Sequence, residues 1–249
     1  GGSPSGGIVG LRPAPWSARS RVHGDGGSAF RVVDGTVYCV NDAEQRVDRL
    51  VVEGDNRPLT PASDSRHADF TYDAANQRLI AVREDHSTGA KEAVNSIGTI
   101  PLDGSMSGEV LVGGHDFYAT PRVSPDGTKL SWLSWDHPNM PWDGCELWMG
   151  QIAADGSIEN ARVVAGGKKE SIFQPSWSPD GTLYFVSDRT GWWNLYRDEA
   201  NGPQIVFADS AEFGQPLWVF SLTTYGFLDD GRVAISFFKD GRWQLGTID

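Results

Sequence analysis

The five residues Ser-Pro-Asp-Gly-Thr occur twice, from Ser124 and from Ser178, and each copy leads into an aromatic-rich apolar run. Weaker relatives of the same turn stand in VDGTVYCV at Asp34-Gly35, in YDAANQRLIAV after Asp73, and in LDDGRVAISFF at Asp230-Gly231. Counted from the aspartates at 34, 73, 126, 180 and 230, the steps are 39, 53, 54 and 50 residues. Asp-Gly between two alternating apolar runs signals a β-hairpin, because glycine reaches the positive φ that such turns require. Proline ahead of the aspartate fixes its own φ and ends the incoming strand. Another short run follows each hairpin, as RVDRLVV, VNSIGTI, CELWMGQI, WNLYR and WQLGTI. Three strands with room for a fourth, repeating at roughly 40–50 residues, meet the requirement of a propeller blade.

The pattern predicts an all-β chain, with a β-propeller of four-stranded antiparallel blades over residues 16–249 and about five blades present. A β-sandwich is the competing architecture, and no helix-period apolar stripe of useful length occurs. Residues 1–15, opening GGSPSGGIVG, read as a linker-like or truncated segment. An incomplete, open part of a larger propeller is expected, with the outer faces of its first and last blades uncovered.

Charge and composition exclude several classes of partner. The 21 basic and 33 acidic residues give a net charge of −12, which repels phosphate backbones, and no basic stripe is present, so nucleic acid is not expected. No run approaches the roughly 18 apolar residues of a membrane span, and no membrane partner is expected. Cys39 and Cys145 sit in separate apolar runs without CxxC spacing. They read as buried thiols in a reducing, cytoplasmic compartment, with a disulfide as the alternative. His23, His67, His86, His115 and His137 are scattered without HExxH or His-x-His spacing, so they read as packing and loop residues, and neither a metal nor a cofactor is expected.

Between residues 115 and 197 the chain becomes specific. HDFYATPRVSPDGTKLSWLSWDHPNMPWDGCELW and ESIFQPSWSPDGTLYFVSDRTGWWNLYR resemble the N-terminal propeller of serine peptidases of the prolyl oligopeptidase family. The acylaminoacyl-peptidase and dipeptidyl-peptidase-like branch is the most similar. RLIAVREDH from Arg78, RPLTP from Arg57 and AEFGQPLWVF from Ala211 extend the resemblance over most of residues 16–228. Three positions depart from the family pattern. VHGDGGSAF has Gly24 and Asp25 where a Glu-Tyr is usual, and Asp48 replaces an apolar residue in RVDRL.

The resemblance implies a propeller that covers a C-terminal α/β-hydrolase domain and filters substrates by size, admitting short peptides. That domain carries a Gly-x-Ser-x-Gly nucleophile elbow, which is absent from this sequence. The nearest approach, GSMSG at 104–108, has Met106 at its centre, so no residue of this chain is assigned a catalytic role. Candidates for gating or for binding a peptide terminus are Arg83 and Glu84 in REDH, Asp136, Trp142 and Asp143 in WDHPNMPWDG, and Glu170 in KKESIFQPSW. A bidentate arginine or a buried carboxylate suits a carbonyl or an amino terminus. In SDRTGWWNLYR, Asp188 and Arg189 suit a turn and Gly191 a tight bend, with Trp192 and Trp193 leading into the next strand. Two other readings fit a propeller: a stand-alone TolB-like binding module, or a lactonase-like hydrolase with an axial calcium held by acidic and amide side chains from several blades.

Without a nucleophile elbow, the 249-residue chain alone is expected to leave peptide-nitroanilides and esters uncleaved. Turnover that survives purification and is blocked by a serine-directed phosphonate would contradict this.

Overall fold

The computed structural model describes residues 10–105 and 108–249. Residues 1–9 of the linker-like segment and Met106 of GSMSG lie outside them. Blade 1 comprises β1 (Phe30–Val33), β2 (Thr36–Val40), β3 (Val47–Val51) and β4 (Arg57–Pro58). Blade 2 comprises β5 (Ser65–Asp73), β6 (Arg78–Asp85), β7 (Val94–Pro101) and β8 (Val110–Val112). Blade 3 is built from β9 (Phe117–Val123), β10 (Lys129–Trp135), β11 (Glu146–Ile152) and β12 (Ile158–Gly166). Blade 4 is built from β13 (Ile172–Trp177), β14 (Leu183–Ser187), β15 (Asn194–Glu199) and β16 (Gly202–Phe207). Blade 5 has three strands among the described residues: β17 (Tyr225–Phe227), β18 (Val233–Lys239) and β19 (Arg242–Ile248). Each blade is an antiparallel meander, and the first strands of blades 1 to 4 face one another in succession around the axis.

The repeated turn has a chemical reason. In the first copy the Gly127 N–H donates to Ser124 O at 2.9 Å, with Gly127 at φ 73°. Ser124 Oγ and both the N–H and the hydroxyl of Thr128 donate to the Asp126 carboxylate. Those hydrogen bonds, the Ser124 hydroxyl's first, pull the Asp126 carboxyl down to about 2. In the second copy Gly181 N–H donates to Ser178 O at 2.9 Å and Ser178 Oγ bonds Asp180. The shorter Asp34-Gly35 turn joins the paired residues Val33 and Thr36, with φ of 47° and 76°. Positive φ at both central residues is the geometry that Asp-Gly favours in two-residue hairpins.

A second repeat runs along the axis. Asp69, Thr120 and Gln174 lie in β5, β9 and β13 at φ of 56°, 52° and 49°, each where the register with the next strand shifts. These are β-bulges, which re-aim a side chain and interrupt pairing. Positive φ at a residue other than glycine costs of the order of 1 kcal/mol, and the bonds formed at the axis offset that cost. Asp69 is fully buried. Its Oδ2 accepts the Thr120 N–H at 2.8 Å, its Oδ1 lies 2.9 Å from Arg122 Nη1 and 3.1 Å from Ser221 Oγ, and its own N–H donates to Ser28 O. Ser221 Oγ is also 2.8 Å from Ser28 Oγ, and the Phe220 N–H donates to Gly26 O. Gln174 Oε1 accepts the Thr224 N–H at 2.6 Å, while its Nε2 donates to Tyr225 O. Blades 1, 2, 3 and 5 thus meet at one carboxylate, and blade 4 is tied to blade 5.

Away from the axis the blades pack through apolar faces. One cluster joins blades 1 and 2, including Tyr38, Val40, Phe70 and Leu79. A large one spans blades 2 to 4, with Trp132, Tyr118 and Phe185 buried. A third joins blades 4 and 5 through Phe173, Phe213 and Tyr225. The far faces of the first and last blades stay uncovered, with Phe30 59% and Val32 50% exposed on β1, and Trp243 55% and Leu245 81% exposed on β19. The propeller is open.

Cys39 and Cys145 are buried free thiols, one in blade 1 and one leading into β11, and burial pushes both up to about 12. Asp48, where an apolar residue was expected, is buried and accepts the Trp16 indole N–H at 3.1 Å. Removing the Asp69 carboxylate strands the Arg122 guanidinium and frees four blade segments at once. Asp69→Ala is expected to lower unfolding free energy in urea by about 3–5 kcal/mol, the cost of breaking a buried ion pair on one side. A loss below 1 kcal/mol would contradict this account.

Candidate functional site

Strand order assigns every turn to one of two faces. The Ser-Pro-Asp-Gly turns and their relatives close the first hairpin of each blade and share one face. The turns between second and third strands, and the connections between blades, return to the other. Contacts agree: residues 115–116, entering blade 3, bond residues 136–137 at its second turn, and Glu170, entering blade 4, bonds Arg189 at its second turn. Glu84, Asp136, Trp142, Asp143, Glu170, Asp188 and Arg189 therefore all belong to this second face.

A cleft of about 550 Å³ opens there between blades 2 and 3. Glu84 lines it, with a side chain 8% exposed. Its Oε1 accepts the His23 N–H at 2.6 Å, and its Oε2 lies 3.1 Å from His86 Nε2 and 3.7 Å from Arg66 Nη1. Asn95 stands opposite Glu84 in the β6–β7 register. Asn95 Nδ2 donates to Asp116 O, while its Oδ1 is buried with no partner among the described residues. Glu92 and Asp116 add two more acidic groups to the lining. Arg83, one position before Glu84, projects from the other side of the strand, as alternation requires. It donates to Asp85 at 2.7 Å and Ser65 at 3.1 Å, and it does not line the cleft.

The other candidates form local networks around the cleft's rim. Asp136 accepts from His115 Nδ1 at 2.9 Å and from the Asp116 N–H at 2.8 Å. Asp116 in turn accepts the His137 N–H at 2.9 Å. Burial alone would raise the Asp136 carboxyl, but these hydrogen bonds hold it below the usual carboxylate range. Asp143 accepts the Met140 N–H and closes its own loop, which presents Trp142 against Trp218 with ring centroids 4.2 Å apart. Glu170 Oε1 receives Arg189 Nη2 at 2.7 Å and the Ser187 hydroxyl at 2.7 Å, while Arg189 lies over Tyr196. Asp188 accepts the Ser171 N–H, and desolvation raises its carboxyl. Gly191 closes the turn at φ 82°. Trp193 packs edge-on to Phe173 and Trp192 is 41% exposed.

Sequence reasoning missed His23, Asn95, Asp116 and Trp218. The first reaches Glu84 across 61 positions, and only the fold brings them together. A signal did exist for Asp116. His-Asp at 115–116 and Asp-His at 136–137 are mirror dipeptides that bond each other reciprocally. Among the described residues no group of three or more His, Cys, Asp or Glu is placed to hold a metal ion, and no helix is long and apolar enough to cross a membrane.

Solved structures supply the relatives. A puromycin-hydrolysing peptidase of Mycobacterium tuberculosis superposes with a TM-score of 0.87 at 36% identity, over 96% of this chain. A puromycin hydrolase complexed with PGG gives 0.88 at 32% identity, again over 96%. The chain is homologous to the propeller of these peptidases. That agrees with the resemblance to the prolyl oligopeptidase family. The chain spans 39% of the length of each of these relatives. TolB of Acinetobacter baumannii, at 16% identity and a TM-score of 0.53, shares the fold alone. No family model matches, and no curated protein matches.

Two buried imidazoles give this fold a pH dependence. Burial lowers both His23 and His67 from 6.5 to about 4, so each is neutral in the folded chain. Between pH 6.5 and 4 the unfolded chain binds protons that the folded chain refuses, so stability falls as pH falls through that window. The turn aspartate Asp126, lowered to about 2, acts only below the ordinary carboxylate value of 3.8. In urea titrations at pH 5 and 6, His67→Gln is expected to flatten the slope of stability against pH by up to about 1.4 kcal/mol per pH unit. An unchanged slope would mean that His67 is protonated when folded.

Proposed function

We propose that this chain is the substrate-gating and docking propeller of a serine peptidase that acts on short peptides bearing a free amino terminus. The α/β-hydrolase domain that performs the chemistry lies outside this sequence, and the face carrying the Glu84 cleft and the Trp142 loop is the one that meets it. Homology to puromycin-hydrolysing peptidases supports the peptidase assignment. Two free buried thiols support a reducing, cytoplasmic setting.

The observation that carries the reading is the acceptor set of the cleft. A protonated amine offers three N–H donors and no acceptor, and charge-assisted bonds to carboxylates are the strong ones. Asn95 Oδ1 is an unused buried acceptor next to the Glu84 carboxylate, and Asp116 and Glu92 line the same opening. Arg66 limits the negative field without removing it. An acetylated terminus has neither the charge nor the donors to satisfy this set. Size selection follows from the open cleft, which admits an extended end of chain and stops a folded domain.

Calorimetric titration of triglycine and N-acetyl-triglycine into the chain tests this. Triglycine is expected to bind at least tenfold more tightly, and Glu84→Gln is expected to erase the difference. Equal affinity of the two peptides for the unaltered chain would overturn amine recognition at this cleft.

A further inference from the structure

Residues 23–26 separate the Glu84 cleft from a smaller recess of about 90 Å³ on the same face. Trp135, Trp142, Trp218 and Phe220 wall this recess. Trp142 and Trp218 form one corner, their rings inclined at 41°. The His23 imidazole stands on the inner side, edge-on to Trp135 at 5.6 Å and tilted against Phe220 at 5.0 Å between centroids.

One buried polar group is left over among these rings. His23 Nε2 is buried without a hydrogen-bond partner among the described residues. Asp25 lines the recess from its exposed side, and its carboxylate makes no ion pair or hydrogen bond among the described residues. An orphaned buried acceptor or donor costs about 1–3 kcal/mol, which a ligand that bonds it recovers. Aromatic faces attract cations, most strongly where water is excluded. A neutral apolar guest would leave the His23 nitrogen unanswered and would gain nothing from the Asp25 charge. An ammonium group would donate to the imidazole and the carboxylate while resting against the rings. Burial keeps His23 uncharged at neutral pH, so its ring offers a lone pair without repelling a cation.

Volume settles how much of a ligand enters. Apolar cavities of about 150 Å³ admit benzene, and a recess of about 90 Å³ is too small for an aromatic side chain. It suits an ammonium with one or two methylenes. We infer that this recess binds the end of a primary alkylammonium, such as the tip of a lysine side chain, between Asp25, His23 and the tryptophan corner. The site is separate from amine recognition at Glu84, because it uses a different carboxylate and different walls.

The test uses n-butylammonium chloride as probe and n-butanol as its neutral counterpart, with indole N–H resonances of Trp142 and Trp218 assigned through Trp→Phe variants. The ammonium is expected to shift both signals saturably, while n-butanol at equal concentration leaves them in place. Asp25→Asn, at an exposed position, is expected to weaken the response about tenfold. Equal shifts from n-butanol would reduce the recess to an apolar pocket and overturn the inference. Absence of any shift, or full binding by Asp25→Asn, would overturn it as well. An ammonium that shifts the Asn95 side-chain amide of the larger cleft and leaves both indoles in place would overturn it too.

Discussion

The Asp69 carboxylate is the point on which the architecture turns. A propeller blade contributes little stability alone, since its apolar faces need neighbours, and the sheets here have no closed ring of packed faces to supply them. What brings blade 5 back toward blade 1 is a few polar bonds at the axis. Ser28, Arg122 and Ser221 come from three blades and are all within bonding distance of Asp69, which belongs to a fourth. A buried charge is tolerated because every contact is answered, two of them by charge or backbone N–H. The bulges at Asp69, Thr120 and Gln174 exist to deliver these side chains to the axis. Their strained backbone is held by the bonds they make.

That arrangement separates two jobs. One face carries the turns with self-contained hydrogen bonding, where Ser124, Asp126 and Thr128 satisfy one another. Such turns are built to be stable and need no partner. The opposite face carries long second turns whose residues bond to the connections between blades. It also has large exposed apolar side chains at Trp218 and Met140 beside them. Large apolar groups left in water beside the unpartnered Asn95 Oδ1 and His23 Nε2 are what the proposed docking role would use. Glu84 and Asn95 stand at the ends of strands β6 and β7, and the blades hold the loops around them at fixed distances.

The sequence made the blades legible because their signal is local. Asp-Gly turns, proline before them and alternating runs after them are all read within a dozen residues, and each of the five first hairpins lies where the aspartates placed it. The axial ring was invisible for the opposite reason. Asp69, Thr120 and Gln174 look like ordinary polar residues in strands, and nothing nearby announces a bulge. The same limit applied to the site. Arg83 and Glu84 are adjacent in REDH, and composition cannot say which of two alternating residues faces a cleft. The register did, by placing Glu84 opposite Asn95 and Arg83 opposite Ser96. His23 and Glu84 lie 61 positions apart, and only the folded chain brings their segments together.

The two thiols, read so far as packing residues, have a use of another kind. Cys39 is enclosed in blade 1, while Cys145 Sγ donates to Ile172 O and accepts the Ile172 N–H, clasping blade 3 to the first strand of blade 4. Burial holds both as thiols rather than thiolates at any ordinary pH, and the thiolate is the form that alkylating reagents attack. In the folded chain both are chemically silent. Each becomes reactive only when the packing around it opens, so the protein carries two independent clocks, one in blade 1 and one where blade 3 meets blade 4.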